Sequence, residues 1–173
     1  LYNKVTNFKW EEHLFADETF SFSSIVNSNN FRHSQYVALK AKDALVDRFK
    51  KRTGNRPNVE RKNPDKHFII RISEKNGSIL WNSTGDPLFK RGYRTHTVEA
   101  PVNEVLAAAI LDLIEWDGIT PLIDPMCGSG TFLAEALIKS CNYAPGLNRK
   151  QFAFEKTSDF KHELWDNLIE EAK

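Results

Sequence analysis

Residues 121–131 read PLIDPMCGSGT, and this stretch decides the fold class of the second half of the chain. Its apolar start predicts a short strand over 121–124 that ends at Asp124, and the turn around Gly128 and Gly130 leads directly into a helix from Thr131. A strand, a Gly-x-Gly turn and a helix are typical of a doubly wound α/β fold, in which ligands lie beyond the carboxyl ends of the strands. We therefore place a nucleotide-like ligand at this turn.

The residue types in the turn narrow the kind of ligand. A Cβ at Gly128 or Gly130 would obstruct a close ligand or forbid the backbone φ that the turn needs. N–H groups at the start of the following helix favour an anionic group such as a carboxylate. A P-loop is excluded because no Gly-Lys-Ser/Thr follows, and Leu133 stands where a dinucleotide fingerprint has its third glycine. The remaining pattern, Asp-x-x-x-Gly-x-Gly, is typical of S-adenosylmethionine sites, although a single Gly-x-Gly turn can also be purely structural.

Hydrophobic periodicity predicts helices on both sides of this turn. Apolar residues at three- and four-residue steps over 102–114 predict a helix that ends near Gly118. A second helix is predicted over 131–141. Residues 152–173 predict a polar, helical tail after a loop.

The first half of the chain predicts a small α/β layer in the order strand, helix, strand, strand. Alternating apolar residues predict a strand over 18–26, whereas residues 2–14 predict no clear element. A 3.6-residue period predicts a helix over 34–52, with Ser34 placed to cap its N-terminus.

The rest of this layer is predicted to be a loop and a hairpin. Gly54 and two prolines among charged residues predict a loop over 53–64. Two short apolar runs, 67–72 and 78–82, predict a hairpin that turns at Asn76-Gly77, because both residues tolerate positive φ.

The net charge of +1 conceals an uneven distribution of charge. Residues 1–100 hold 18 Lys/Arg against 11 Asp/Glu, whereas residues 101–173 hold 6 against 12. Glycine, proline and basic residues predict a linker over 84–97, so we expect domains at 1–94 and 95–173. The basic half suits a polyanion such as nucleic acid, although an uneven solvated surface has the same composition.

Composition also excludes several classes of protein. Cys127 and Cys141 are the only cysteines, so we expect no disulfide scaffold and two reduced thiols. No apolar run approaches the roughly 18 residues of a spanning helix, and no secretory signal opens the chain, so we expect a cytoplasmic protein. No residue cluster suggests a metal site. Since the first residue is Leu, we expect a piece of a longer protein.

The stretch DPMCGSGTFLAEA at 124–136 resembles the first cofactor motif of the THUMP-containing RNA methyltransferases. It is most similar to the bacterial enzymes that methylate N2 of a guanine in 23S ribosomal RNA. Four further blocks occur in the family's order: RHSQYVALKAKDALVD at 32–47, STGDPLFKRGYR at 83–94, APVNEVLAAAI at 100–110, and APGL at 144–147 before FAF at 152–154. This resemblance covers nearly the whole chain. It implies a THUMP-like α/β module that binds RNA, followed by the beginning of a Rossmann-like S-adenosylmethionine-dependent methyltransferase domain.

The resemblance also implies which residues form the sites. Those that would hold S-adenosylmethionine or shape its turn are Asp124, Pro125, Cys127, Gly128, Ser129, Gly130 and Thr131. Those that would contact RNA, as a group, are Arg32, Lys40, Arg56, Arg61, Lys62, Arg91 and Arg94. Glu104 either lies near the cofactor or is simply a favourable acid in a first helical turn. Cys127 is expected to line the pocket and not to act as a nucleophile, because methyl transfer from the sulfonium to the base is direct.

Two motifs of the family do not occur in the chain. They are the second acidic motif, which holds the cofactor ribose, and the Asn/Asp-Pro-Pro-Tyr/Phe motif, which positions the target amine. We therefore assign no catalytic residue, expect the chain alone to be inactive, and expect its second half to need further strands or a partner. Two alternatives stay open: an adenine-N6 DNA methyltransferase, which shares this style of motif, and a non-catalytic RNA-binding module.

Overall fold

A computed structural model describes residues 1–95 and 99–173, which form two compact units, Leu1–Gly85 and Asp86–Lys173. The last two residues of the predicted linker over 84–97 are not among the described residues. Its residues 86–94 belong to the second unit, and the domain boundary near residue 95 stays a prediction. Among the described helices, none combines the length and the apolar character that crossing a membrane requires.

The first unit is built on a four-stranded sheet with the strand order β2-β1-β3-β4. The strands are β1 (Thr19–Asn27), β2 (Asn58–Val59), β3 (Lys66–Ser73) and β4 (Asn76–Trp81). Strand β1 pairs in parallel with β2 and β3, and β3 pairs antiparallel with β4. Parallel neighbours need a crossover connection, and helix α2 (Ser34–Thr53) supplies it between β1 and the later strands.

The core of the first unit lies between the sheet and two helices. Helix α2 packs against β1, and the short helix α1 (Tyr2–Asn7) packs against α2. A 3₁₀ turn at Trp10–Glu12 follows α1, and the fully buried Trp10 indole donates to the Val5 main-chain oxygen at 2.7 Å. The core side chains of the sheet and helices include Phe20, Phe68, Ile70, Ile72, Val37, Ala41 and Leu45.

The predicted first strand and long helix are confirmed, but the predicted cap is wrong. Helix α2 begins at Ser34 itself, and His33 is the N-cap residue without a side-chain capping bond. The Ser34 main-chain oxygen accepts a hydrogen bond from Ser24 Oγ at 2.5 Å. At the other end, Gly54 takes the left-handed conformation at φ 75°, which ends the helix.

The predicted hairpin is confirmed, but its turn lies two residues earlier than predicted. Ser73 pairs with Asn76, so the turn residues are 74 and 75, and Gly77 pairs with Ile72 inside the ladder. Ile79 lies opposite Ile70 and packs against the core. Because moving the turn by two residues preserves the alternation of the strand, Ile79 lies on the core-facing side in either register. The predicted loop over 53–64 also contains the two-residue strand β2.

The described residues of the second unit form three α-helices and a 3₁₀ turn. The helices are α3 (Glu104–Leu113), α4 (Thr131–Ser140) and α5 (His162–Glu171), with the 3₁₀ turn at Ala153–Lys156. Helices α3 and α4 pack together through the buried residues Ala107, Leu111 and Ala136. Trp165 packs edge-on against Phe152 and Phe154, which joins α5 to the segment before it. All three predicted helical regions are therefore confirmed.

The predicted strand over 121–124 is wrong. These residues form no strand, and Ile123 is 84% exposed. A strand exists only through its ladder partners, and within the described part of the second unit no strand lies beside this segment. The apolar run therefore forms an extended, unpaired stretch before the Gly-x-Gly turn.

Candidate cofactor site

Residues 124–131, here called the glycine bend, turn the chain into helix α4. Asp124 Oδ1 accepts a hydrogen bond from the Met126 N–H at 3.1 Å, and the Gly130 N–H donates to the Cys127 oxygen at 2.7 Å. Gly128 and Gly130 have φ values of 55° and 74°. Since L side chains rarely adopt such φ values, both positions favour glycine for the backbone conformation alone.

Space is open beside both glycines. Among the described residues, no heavy atom beyond the chain neighbours lies within 4 Å of a Cβ built at Gly128 or Gly130. By contrast, a Cβ at Gly92 would lie 2.3 Å from the Asn148 main-chain oxygen. The bend glycines are thus not required by packing against protein, which leaves room for a ligand to approach the backbone.

The two neighbouring helices begin in different ways. Asn103 caps α3, since its side chain accepts hydrogen bonds from the Val105 and Leu106 N–H groups. Helix α4 begins after Gly130, and within the described residues no N-cap side chain bonds to its first turn. The first N–H groups of a helix have no partner within the helix and favour an anion. The start of α4 therefore suits a carboxylate or another anionic group.

Arg94 connects the glycine bend to helix α3. Its Nε donates to Glu104 Oε1 at 3.0 Å, and its Nη1 donates to Ser129 Oγ at 3.0 Å. Its Nη2 donates to Thr131 Oγ1 and to the Val102 main-chain oxygen, both at 3.1 Å. The side chains of Arg94 and Glu104 are 15% and 9% exposed, so this ion pair is largely buried.

A second buried carboxylate lies close in sequence to this network. Glu135 on α4 has a side chain that is 1% exposed, and it accepts from Tyr93 Oη at 2.9 Å and from Arg91 Nη2 at 3.4 Å. Burial, and then the hydrogen bond to Glu135, raise the pKa of Tyr93 above its ordinary value. Residues 91–94 thus donate to one acid on each helix.

The structure brings the predicted cofactor residues together in one continuous segment. Pro125, Cys127, Gly128 and Ser129 are exposed, Asp124 and Gly130 are half-buried, and Thr131 is buried. A cleft of about 400 Å³ lies along 89–92, Arg94 and 101–104. Arg94 therefore lines this cleft and also bonds to the bend. The described residues contain no group of three or more His, Cys, Asp and Glu placed to hold a metal ion.

The predicted RNA contacts fall into two groups. Arg32, Arg56, Arg61 and Lys62 are exposed on the first unit, and the half-buried Lys40 Nζ lies 5.8 Å and 5.9 Å from the ring centroids of Tyr2 and Tyr36. Arg91 and Arg94 instead donate to buried carboxylates in the second unit. Their placement argues against a role as free phosphate contacts.

Sequence reasoning missed Tyr93 and Glu135. Glu135 lies four residues after Thr131, and both are buried on the same face of α4. A carboxylate on the buried face of an amphipathic helix requires a partner, and that requirement was the available signal. The sequence pattern does not identify the partner of Glu135, because Tyr93 lies more than forty residues away in the chain.

Two families of known proteins match the chain, one for each unit. Residues 1–80 match the THUMP domain, and residues 91–172 match the RMKL-like methyltransferase domain. The chain therefore carries a match to a THUMP domain followed by a match to an RMKL-like methyltransferase domain, the two modules that the resemblance in its sequence implied.

Proteins that are similar to the chain in sequence have methyltransferase names. The chain is 42% identical over its whole length to Ribosomal RNA large subunit methyltransferase K/L of Aliivibrio salmonicida, and 40% identical over 172 residues to that of Vibrio cholerae. It covers 24% of the length of each relative.

Two solved structures have the same fold over 99% of the chain. One is a predicted N6-adenine-specific DNA methylase from Listeria monocytogenes, with 28% identity and a TM-score of 0.82. The other is SMU.472, described as a methyltransferase complexed with SAH, with 32% identity and a TM-score of 0.78. The chain covers 45% of each. The predicted fold class, a THUMP-like module followed by the beginning of a Rossmann-like methyltransferase domain, is thereby confirmed.

Proposed function

We propose that this chain is part of an S-adenosylmethionine-dependent RNA methyltransferase, in which it supplies an RNA-binding module and one wall of the cofactor site. The observation that carries the proposal is the glycine bend, whose two left-handed glycines leave open space and lead into an uncapped helix. The match of this region to a methyltransferase domain, and the SAH bound by SMU.472, support the same ligand.

The residues of the bend fit this cofactor by their chemistry. S-adenosylmethionine supplies a methyl group on a sulfonium centre. The uncapped N–H groups of α4 suit its carboxylate, and the open space beside Gly128 and Gly130 lets the ligand approach the main chain. Asp124 orders the bend by accepting the Met126 N–H and retains a second carboxylate oxygen for a polar group of the ligand.

The proposed substrate is N2 of a guanine in 23S ribosomal RNA. The names of the relatives and the THUMP match support an RNA substrate, and the resemblance of the 124–136 motif supports the guanine amine. Methyl transfer needs this amine in line with the sulfonium, and the chain has no Pro-Pro motif to orient it. We therefore propose that the 173-residue chain alone has no turnover and that the full-length protein is active.

Titration of SAH into the full-length protein tests the cofactor site. We expect saturable binding by the wild type and a loss of at least about tenfold in affinity for Asp124→Ala. Asp112→Ala is the matched control, because Asp112 is an exposed carboxylate of the same unit that pairs with Lys139 across α3 and α4. Equal affinities for the wild type and Asp124→Ala would contradict the assignment of the cofactor site. Methylation of ribosomal RNA by the 173-residue chain would instead contradict the proposal that this chain has no turnover.

The proposed RNA surface is the basic segment over residues 50–62. It includes the exposed cations Lys50, Lys51, Arg56, Arg61 and Lys62, and within the described residues none of them forms a salt bridge. They run from the last turn of α2 to the loop after the edge strand β2. A cluster of unpaired cations on a surface attracts a phosphate backbone by releasing its counterions.

Two double variants, each of which removes two positive charges, test this surface. Arg61→Gln with Lys62→Gln should weaken RNA binding and lower the log–log salt slope, by roughly 0.7 for each cation that no longer neutralises a phosphate of a single strand. The control, Lys4→Gln with Lys75→Gln, removes two exposed cations elsewhere on the same unit that also form no salt bridge with described residues. Equal salt slopes for the two double variants would place the RNA surface elsewhere.

A second candidate function is adenine-N6 methylation of DNA. The Listeria protein, described as such an enzyme, matches the fold closely at 28% identity. The ribosomal RNA relatives are closer in sequence at 42%, and a THUMP domain precedes the catalytic region. Incubating the full-length protein with labelled S-adenosylmethionine and either unmodified 23S RNA or duplex DNA separates the two, since each function labels only one polymer.

A further inference from the structure

The Arg94 side chain contacts the glycine bend at two points that flank Gly130. Its two terminal nitrogens donate to the hydroxyls of Ser129 and Thr131 at 3.0 and 3.1 Å. The same guanidinium donates from Nε to Glu104 at the start of α3. One side chain therefore bonds to the residue before Gly130, the residue after it and the neighbouring helix.

We propose that Arg94 is a positioning residue for the cofactor, which acts through Ser129 and Thr131 by fixing the path of the glycine bend against helix α3. The inference rests on the proposed function, because it assumes that the bend receives S-adenosylmethionine. It changes the role of Arg94 from an RNA contact to an internal support of the cofactor site.

The way α4 begins makes such a support necessary. Gly130 has no side chain with which to cap the helix, and its φ of 74° lies in a region that glycine leaves easily. Hydroxyls held on either side of it restrict this freedom before the ligand arrives. A preordered loop loses less conformational entropy on binding and therefore binds more tightly.

Arginine is suited to this position by its shape and its charge. A planar guanidinium presents five N–H donors in fixed directions, whereas a lysine ammonium is a single charged point on a flexible stem. Glu104 orients the guanidinium and balances its charge, which would otherwise lie unpaired at the positive end of the α4 dipole. All three guanidinium nitrogens of Arg94 donate hydrogen bonds within the second unit, so the side chain has partners without RNA.

A double-mutant cycle on the full-length protein tests the inference. The SAH affinity and the thermal midpoint are measured for the wild type, Arg94→Lys, the pair Ser129→Ala with Thr131→Val, and the combination. If Arg94 acts through the two hydroxyls, Arg94→Lys weakens SAH binding by about tenfold in the wild type and has no further effect in the hydroxyl-free background. RNA affinity and its salt slope, measured with Arg94→Gln because this variant removes the charge, stay at the wild-type values. Lys139→Gln is the control, since it removes a cation between α3 and α4 away from the bend and leaves SAH affinity unchanged.

The other outcomes overturn the inference in distinguishable ways. Losses that multiply in the combined variant mean that Arg94 acts independently of the two hydroxyls. A lower thermal midpoint with unchanged SAH affinity means that Arg94 only stabilises the fold. A reduced RNA salt slope for Arg94→Gln restores the role of Arg94 as a phosphate contact. If the wild type itself fails to bind SAH, the proposed function is wrong, and the inference is lost with it.

Discussion

Arg48 on α2 donates two hydrogen bonds to the carboxylate of Glu11, from Nε at 2.8 Å and from Nη2 at 2.6 Å. Its third nitrogen, Nη1, donates to the Thr6 main-chain oxygen at 2.9 Å. This bidentate pair joins the N-terminal segment to the long helix of the first unit. The hydrogen bonds from Arg48 lower the pKa of Glu11 from 4.5 to about 2.

The Glu11–Arg48 pair should make the first unit sensitive to acid. Because the pKa of Glu11 is lower in the folded state than in the unfolded state, its contribution is complete above pH 4.5 and is lost as the pH falls toward 2. Glu11→Gln should lower stability at neutral pH and flatten the dependence of the melting temperature on pH between these values. Thermal melts followed by circular dichroism from pH 2 to 7 measure this. An unchanged slope in the variant would show that other carboxylates cause the loss.

His67 should produce a second dependence on pH, at higher values. Its Nδ1 and Nε2 lie 2.6 Å and 2.9 Å from the hydroxyls of Ser21 and Ser23, and burial lowers its pKa below 6.5. The unfolded state then takes up the proton more readily, so stability is complete above pH 6.5 and decreases as the pH falls below it. His67→Gln should remove this step while the acid step of Glu11 remains. Melts between pH 5 and 8 distinguish the two groups.

Gly92 should tolerate no side chain. Its φ is 92°, and an added Cβ would lie 2.3 Å from the Asn148 main-chain oxygen, a backbone atom that cannot swing aside. Gly92→Ala should destabilise the second unit by more than about 3 kcal/mol, in the upper range for point mutations. Gly118→Ala is the control, because Gly118 also has a positive φ of 80° but its Cβ would make ordinary contacts, 3.5 Å from Ser140 Cα. The control should cost only about 1 kcal/mol. Similar costs in denaturant titrations would contradict the close approach at Asn148.

Ile123 should tolerate a charge in this 173-residue chain. It is 84% exposed, so Ile123→Lys should change the stability of the second unit by less than about 0.5 kcal/mol and reduce self-association. Leu111→Lys is the contrasting variant, since Leu111 is 1% exposed between α3 and α4 and its replacement should unfold the unit. Sedimentation and chemical denaturation measure both effects. Strong destabilisation by Ile123→Lys would mean that the 121–124 segment pairs with another strand in solution.

Most of the first unit could be predicted from the sequence, because its elements follow from local periodicity. Strand β1 and helix α2 have the expected bounds within one residue, since both bury one face of a regular pattern. Turn chemistry was less reliable: the Asn76-Gly77 pair favours a turn, but these two residues lie inside the ladder opposite Ser73 and Ile72. Helix α1 has six residues and depends on packing against α2, so its own sequence gave no signal.

The sequence predicted the main-chain conformation of the glycine bend, but it did not predict the side-chain pairs that surround the bend. The glycines of the bend determine φ locally, and the structure has positive φ at both, as the motif requires. The pairs Arg94–Glu104 and Tyr93–Glu135 depend on how α3 and α4 meet, which no local pattern specifies. A sequence does not distinguish an exposed arginine from an arginine that is buried and paired with a carboxylate. This is why Arg91 and Arg94 were assigned to RNA.

The donors at residues 91–94 limit where the chain can be truncated to separate the two units. The charge pattern suggests separation after residue 94, yet such a truncation would remove Arg91, Tyr93 and Arg94 and leave Glu104 and Glu135 buried without their donors. Removing one partner of a buried pair costs about 3–5 kcal/mol, which a small isolated domain can hardly tolerate. The second unit, when it is prepared for separate study, should therefore start at Asp86 or earlier.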